Sequence, residues 1–254
     1  MKEGRPAVDL PSDRDELFVH EANAPQAFRF DEAVAKVFPD MLRRSIPGYS
    51  TLLHLIGVAA SSHVQSGTHV YDLGCSLGAV SLSIRHAIGA RDAKIVALDS
   101  SSAMVARCQE IISADSALCP VDVIQGDISA LDLKPASLVV LNFTLQFAPK
   151  EARQQILNTI SESLVDGGAL ILSEKTTSDD AGVNQFYTQT HDNFRQSNGY
   201  SRIELSRKRE ALETYLIPEK VETYEEQLRR AGLEPVQWFR CLHFVSWVAT
   251  KASR

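Results

Sequence analysis

Cysteine is scarce in this chain. The four present, Cys75, Cys108, Cys119 and Cys241, are spread over 254 residues with no C-x-x-C pair and no Cys/His cluster. That spacing argues against a zinc site, so no metal is expected. It suits a reduced, cytoplasmic setting. Basic charge is short as well: 26 Lys and Arg against 32 Asp and Glu leave a net charge of −6. Direct nucleic-acid binding, which needs a basic surface, is therefore not expected. A small anionic substrate stays compatible, because a few local arginines can hold it. No apolar run approaches the roughly 18 residues of a membrane span, and the polar N-terminus lacks a signal-peptide core. What remains is a composition 44% apolar, ordinary for a globular protein and enough to bury a sizeable core.

Residues 1–29 are polar, with prolines at Pro6, Pro11 and Pro25, and read as a flexible, loosely docked arm. Residues 30–254 read as one domain. Its opening part, 30–66, carries helical spacing: Phe30, Val34 and Val37, then Leu52, Leu55, Ile56 and Ala59. Asp31 is placed to cap the first helix, and Pro39 and Pro47 are expected to divide the stretch into short helices. The core, 67–177, alternates strands (68–74, 93–99, 121–127, one within 137–147, 167–175) with helices (79–89, 102–115, 150–164). That rhythm calls for a mostly parallel sheet covered on both faces, with a ligand at the carboxyl ends of its strands. Residues 178–216 are helical, charged and aromatic, and are expected to cover that rim. Residues 217–254 read as a last helix and an antiparallel strand pair turning near 240–243.

The ligand is constrained by "VYDLGCSLGAVSLSIR", residues 70–85. A strand meets an acid, a glycine loop and a helix start, which suits a nucleotide-like ligand. The dinucleotide fingerprint G-x-G-x-x-G needs glycines at 76 and 79, where Ser76 and Ala79 stand. Asp72 suits an ammonium or sulfonium better than a diphosphate. Asp99 ends the second strand, 25 positions after Gly74, and a carboxylate accepts two hydrogen bonds from a ribose diol. The third strand ends in "GDI", where Asp127 and the Ile128 N–H suit an adenine. Each signal alone is weak. In order at successive strand ends they favour S-adenosylmethionine, and the pattern resembles a Rossmann-like class I methyltransferase domain with its closing hairpin. At the end of the fourth strand "LNFTLQF" offers Asn142 but lacks the prolines that shape an amine pocket in many amino-methyltransferases. On residues alone, a conventional small-molecule methyltransferase and a non-catalytic S-adenosylmethionine-binding partner of a tRNA enzyme stay open.

A closer resemblance rests on "VFPDMLRRSIPGYS", "YDLGCSLGA", "LNFTLQF", "GGALILSEK", "NGYS" and "RKREALE". Together, over residues 30–251, these blocks resemble the carboxy-S-adenosyl-L-methionine synthase family. The resemblance implies conversion of S-adenosylmethionine and prephenate to carboxy-S-adenosylmethionine and phenylpyruvate. It further implies a homodimer, and a functional link to a tRNA carboxymethyltransferase that modifies wobble uridines to their 5-oxyacetyl form. By position, Tyr49, Gly74, Cys75, Ser76, Asp99, Ser100, Asp127, Ile128 and Asn142 correspond to contacts with S-adenosylmethionine. Arg209 corresponds to the residue that binds the transferred carboxylate. Tyr200 is expected near that carboxylate, from its own subunit or the other one. His191 and Arg195 suit either rim contacts or a surface helix. Cys75 has no paired His and is not read as a nucleophile.

Overall fold

The computed structural model describes residues 10, 12–19, 28–130, 132–212 and 215–251. Helix α1 (Glu32–Ser45) starts at Asp31, whose carboxylate accepts the Val34 N–H at 3.0 Å. It runs unbroken through Pro39, against the expected division there. A proline removes a single helix bond, while Val34, Val37, Phe38 and Met41 bury one face of the helix across that point. The break comes only at Pro47, after which Gly48, in the left-handed region at φ +79°, opens α2 (Tyr49–His63).

The alternating core follows: β1 (Thr68–Leu73), α3 (Ala79–Ile88), β2 (Ala93–Asp99), α4 (Ser102–Ala114), β3 (Val121–Gln125), β4 (Ala136–Asn142), α5 (Lys150–Ser163) and β5 (Leu164–Thr177). Two helices, α6 (Ala181–Ser197) and α7 (Arg202–Leu212), form the expected helical stretch. A short β6 (Glu219–Lys220), α8 (Val221–Arg230), β7 (Leu233–Cys241) and β8 (Phe244–Lys251) complete the order. The sheet order is β3-β2-β1-β4-β5-β8-β7, with β6 against the end of β5. Strands β1 to β5 are parallel, and β8 and β7 are antiparallel. The α/β sheet read from the sequence, parallel with a C-terminal antiparallel hairpin, is the one present.

Side-chain alternation distributes the core. Along β4, Leu138 and Val140 face α2 and α3, while Val139 and Leu141 face α5 and α8. All four are fully buried, and each such side chain contributes about 1.5–3 kcal/mol. Burial on both faces therefore holds this central strand. A third cluster packs α1 against α4 and takes in Leu10, Phe18 and Phe28. At its described positions the segment read as a loose arm is thus docked: Phe18 and Asp15 are buried. An isolated Phe and Asp in a polar stretch carry no periodicity that would announce this.

Candidate functional site

At the carboxyl ends of β1 to β5 lies a cavity of about 420 Å³. Its floor begins at the loop after β1. Gly74 takes φ +80°, and a Cβ there would collide with the Thr144 side chain. The N–H groups of Gly74 and Cys75 both donate to the Leu98 carbonyl, at 2.7 and 2.9 Å. The loop is thereby clamped to β2. Ser76, at φ +49°, donates its N–H to Asp99 Oδ2 at 2.8 Å. Asp99 Oδ1 accepts the Ser101 N–H at 2.9 Å. Burial raises the Asp99 carboxyl, and these N–H bonds oppose the shift. A carboxylate offers about four acceptor sites, so acceptor capacity remains for a ribose diol. Asp127 accepts the Ser129 N–H at 2.7 Å and presents Ile128 beside it. Tyr49, the first residue of α2, is buried, and that burial pushes its phenol above the ordinary range.

Asn142 closes β4. Its Oδ1 is buried and has no partner among the described residues, which costs roughly 1–3 kcal/mol unless a ligand donor meets it. Phe143 follows at φ +61°. Two of the three non-glycine residues with positive φ among the described residues, Ser76 and Phe143, line the cavity. Each such conformation costs on the order of 1–3 kcal/mol, and this strain gathers at the cavity.

Nine residues singled out in the sequence, Tyr49, Gly74, Cys75, Ser76, Asp99, Ser100, Asp127, Ile128 and Asn142, line this one cavity. Their donors and acceptors fit a ribose, an adenine and an amino-acid ammonium. Asp72 is a correction. It does not line the cavity; its Oδ2 accepts the Ser81 N–H at 3.0 Å and the Ser81 hydroxyl at 2.7 Å. It shares a strand face with Val70, on the side where α3 packs. Burial pushes its carboxyl up to about 7, against the Ser81 bonds. Cys75 is held as a thiol, its pKa raised by a contact with the Cys108 thiol and by burial.

The two residues expected at the transferred carboxylate, Tyr200 and Arg209, are not part of this cavity's lining in their own chain. Tyr200 is buried in its own chain, its hydroxyl bonded to Asp15. The Arg44 guanidinium sits 3.9 Å above its ring. Arg209 has a side chain 56% exposed, and its Nη2 donates to Asp192 at 2.9 Å. Neither lines the cavity. Successive helix residues point about 100° apart, and on α7 it is Lys208 that turns inward.

The cations at the cavity wall are instead Arg43, Lys175, Arg195 and Lys208, with His191 beside them. Lys208 Nζ bonds Asp15 and Ser45 at 3.2 Å and the Tyr200 hydroxyl at 3.4 Å. His191 Nε2 donates to the Ser45 carbonyl at 2.7 Å. Burial, Arg195 and Lys175 push that imidazole down to about 3. Lys175 was not singled out in the sequence. The available signal was a lysine ending the apolar run "GGALILSEK" at a carboxyl strand end.

Among the described residues no cluster of His, Cys, Asp or Glu could hold a metal, and no helix is long and apolar enough to cross a membrane. The family model of a methyltransferase domain matches residues 70–168. Among solved structures, magnesium protoporphyrin IX methyltransferase from Synechocystis PCC 6803 with bound SAH superposes with a TM-score of 0.57 at 14% identity, over 84% of this chain and 87% of that one. An O-methyltransferase family protein from Burkholderia thailandensis gives a TM-score of 0.59 at 14% identity, over 93% and 62%. Both likenesses concern the fold. In sequence, the chain is 47% identical to the carboxy-S-adenosyl-L-methionine synthase of Enterobacter sp. (strain 638), over 96% of this chain and 99% of that protein. It is 49% identical to the synthase of Escherichia coli O1:K1 / APEC, over 95% and 98%. With that identity over nearly the whole length of both chains, and on a methyltransferase fold, this chain belongs to the carboxy-S-adenosyl-L-methionine synthase family of transferases.

Proposed function

We propose that the chain converts S-adenosylmethionine and prephenate to carboxy-S-adenosylmethionine and phenylpyruvate, working in the cytoplasm as a homodimer. The product would feed a tRNA carboxymethyltransferase that forms 5-oxyacetyl uridine at wobble positions. Tyr49, Gly74, Cys75, Ser76, Asp99, Ser100, Asp127, Ile128 and Asn142 hold the S-adenosylmethionine. Arg209, exposed and outside the cavity of its own chain, serves the transferred carboxylate through the assembled dimer, and Tyr200, buried in its own chain, serves that end of the site through Lys208.

The observation that carries this reading is a cavity with a cationic end and no carboxylate there. The carboxylates that line it, Asp99 and Asp127, belong to its ribose and adenine end. His191 is far too weak a base at about 3. The chemistry then asks the second substrate for its own base. The sulfonium acidifies its methyl group. Prephenate aromatises by losing its ring carboxylate as carbon dioxide and its hydroxyl as hydroxide. The hydroxide takes one methyl proton and leaves as water. The ylide carbon attacks carbon dioxide, giving the carboxymethyl sulfonium. The protein orients the partners and excludes water.

A conventional small-molecule methyltransferase is the second reading, supported by the fold shared with an O-methyltransferase family protein. Incubation with labelled S-adenosylmethionine and prephenate separates the two. The expected result is a donor heavier by the mass of carbon dioxide, together with phenylpyruvate; absence of both products overturns the proposal.

A further inference from the structure

The carboxyl edge of the sheet is a ruler. Its strand order, β3-β2-β1-β4-β5, sets Asp127, Asp99, Gly74, Asn142 and Lys175 in that sequence along the cavity. Neighbouring strands lie about 4.8 Å apart. The first four positions suit, in turn, the adenine, the ribose and the amino-acid end of the methyl donor. Lys175 stands one strand further on, past the donor's end.

What surrounds Lys175 is specific. Asn142 is in register with Ser173, and Lys175 lies two residues along the same face of β5. Across the antiparallel pair it faces Phe244, whose ring meets Phe143 edge-on at 5.7 Å and His191 at 5.1 Å. The Lys175 backbone N–H is pinned by Gln146 Oε1 at 3.1 Å. Its side chain is half-buried and lines the cavity; Arg195 is the charge that acts on it most strongly, followed by Arg209, with Asp192 opposing both. Arg195 lies one turn beyond His191 on α6, on the same face. It spends Nη2 on Asp192, but its buried Nε has no partner among the described residues. Asp192 answers only part of this charge: Arg195 and Arg209 both bond it, so three cations share one acid, and the remaining donors of Lys175 and Arg195 at the cavity wall call for a further anion. The flanking Phe143 and Phe244 rings call for an apolar ring attached to it.

We propose that Lys175 and Arg195 form, within one chain, the subsite for a carboxylate of the second substrate, with Phe143 and Phe244 against that substrate's ring. This deepens the proposed reaction and rests on it for the second substrate's identity. It makes Lys175 and Arg195 substrate-binding residues distinct from Arg209.

The test measures phenylpyruvate binding to the full-length protein saturated with S-adenosylhomocysteine, by calorimetry, beside its neutral methyl ester. In Lys175→Met and in Arg195→Met, affinity for the acid is expected to fall about ten- to hundredfold, as for loss of a charged hydrogen bond. Affinity for the ester and for S-adenosylhomocysteine should stay within about twofold, and Lys175→Arg should restore acid binding. Unchanged acid binding in both Met variants overturns the subsite. So does weakened S-adenosylhomocysteine binding in a folded variant, which would assign the two cations to the donor's own carboxylate. Because the readout is binding, it stands apart from the labelled-donor experiment: a wild type that makes no carboxylated product defeats the reaction and leaves this measurement to judge the subsite.

Discussion

Arg195 and Arg209 hold the same carboxylate. Arg195 Nη2 takes Asp192 Oδ1 within α6, and Arg209 Nη2 takes Asp192 Oδ2 from α7 at 2.9 Å. Burial raises the Asp192 carboxyl, but the two guanidiniums outweigh it and keep its pKa below the ordinary value. One acid thus couples a cation of the cavity wall to a cation on the surface. Loss of either partner would shift the other.

Arg209→Leu is expected to leave S-adenosylmethionine binding within about twofold and to abolish carboxylated product. The pair with Asp192 is largely exposed, so its contribution to stability is about 0–1 kcal/mol. Denaturant midpoints should hardly move. Unchanged turnover would show that Arg209 has no role at the carboxylate.

Gly74→Ala should be costly. A side chain at φ +80° is strained, and its Cβ runs into Thr144. A loss of about 1–3 kcal/mol is expected, read as a lower melting temperature. Binding of S-adenosylhomocysteine should weaken at least tenfold, since the clamp of Gly74 and Cys75 to Leu98 is displaced. A variant with wild-type affinity would separate this loop from the ligand.

Asp99→Ala removes both the acceptor for Ser76 and Ser101 and the proposed diol contact. Weaker binding of S-adenosylhomocysteine is expected, by about 1.5–3 kcal/mol for a charged hydrogen-bond acceptor. A 2′-deoxy analogue should bind the wild type more weakly and be much less sensitive to the substitution. Equal losses for both ligands would place the ribose elsewhere.

Lys175 and Lys208 are both pushed down to about 8, chiefly by burial. As pH rises through about 8 each loses its proton in the folded state, while an unfolded lysine holds it to about 10.4. The unfolded state then binds more protons, so these two groups add stability as pH rises between those values. Affinity for an anionic second substrate moves the opposite way and should fall above about pH 8. A binding profile flat from pH 7 to 9.5 would contradict this.

Asp15 neutralises Lys208 in a buried site, at 3.2 Å. Asp15→Ala should cost about 3–5 kcal/mol at pH 7, as for an ion pair broken from one side. The cost should shrink at pH 9, where Lys208 can shed its charge, and in Asp15→Ala/Lys208→Met, where none remains. Urea denaturation of these two variants, of wild type and of Lys208→Met measures this. Equal losses at both pH values would deny the pairing.

The alternating core was legible because each strand and helix advertises its own period, and eight of the nine cavity residues because they sit at or just past strand ends in a fixed order; Tyr49, which opens α2, came only from the family resemblance. What escaped depends on direction or distance. Asp72 and Asp99 are both strand-end acids, and only the packing of α3 decides that Asp72 meets Ser81. Lys208 and Arg209 are neighbours, and only the seat of α7 decides which turns inward. Asp15 reaches Tyr200 across 185 positions, a separation no local pattern encodes. Pro39 reads as a breaker until the burial around it is known.

Strand β8 lies inside the sheet, between β5 and β7, although it follows every other strand in sequence. On the ribosome, β5 must wait with an open edge carrying Leu170, Ile171 and Leu172, all buried once folding is complete. Phe244, which begins β8 and closes the cavity beside Lys175, arrives only then. The waiting edge is open to pairing with other chains, so newly made protein should depend on chaperone cover to a degree that the finished, compact fold does not suggest.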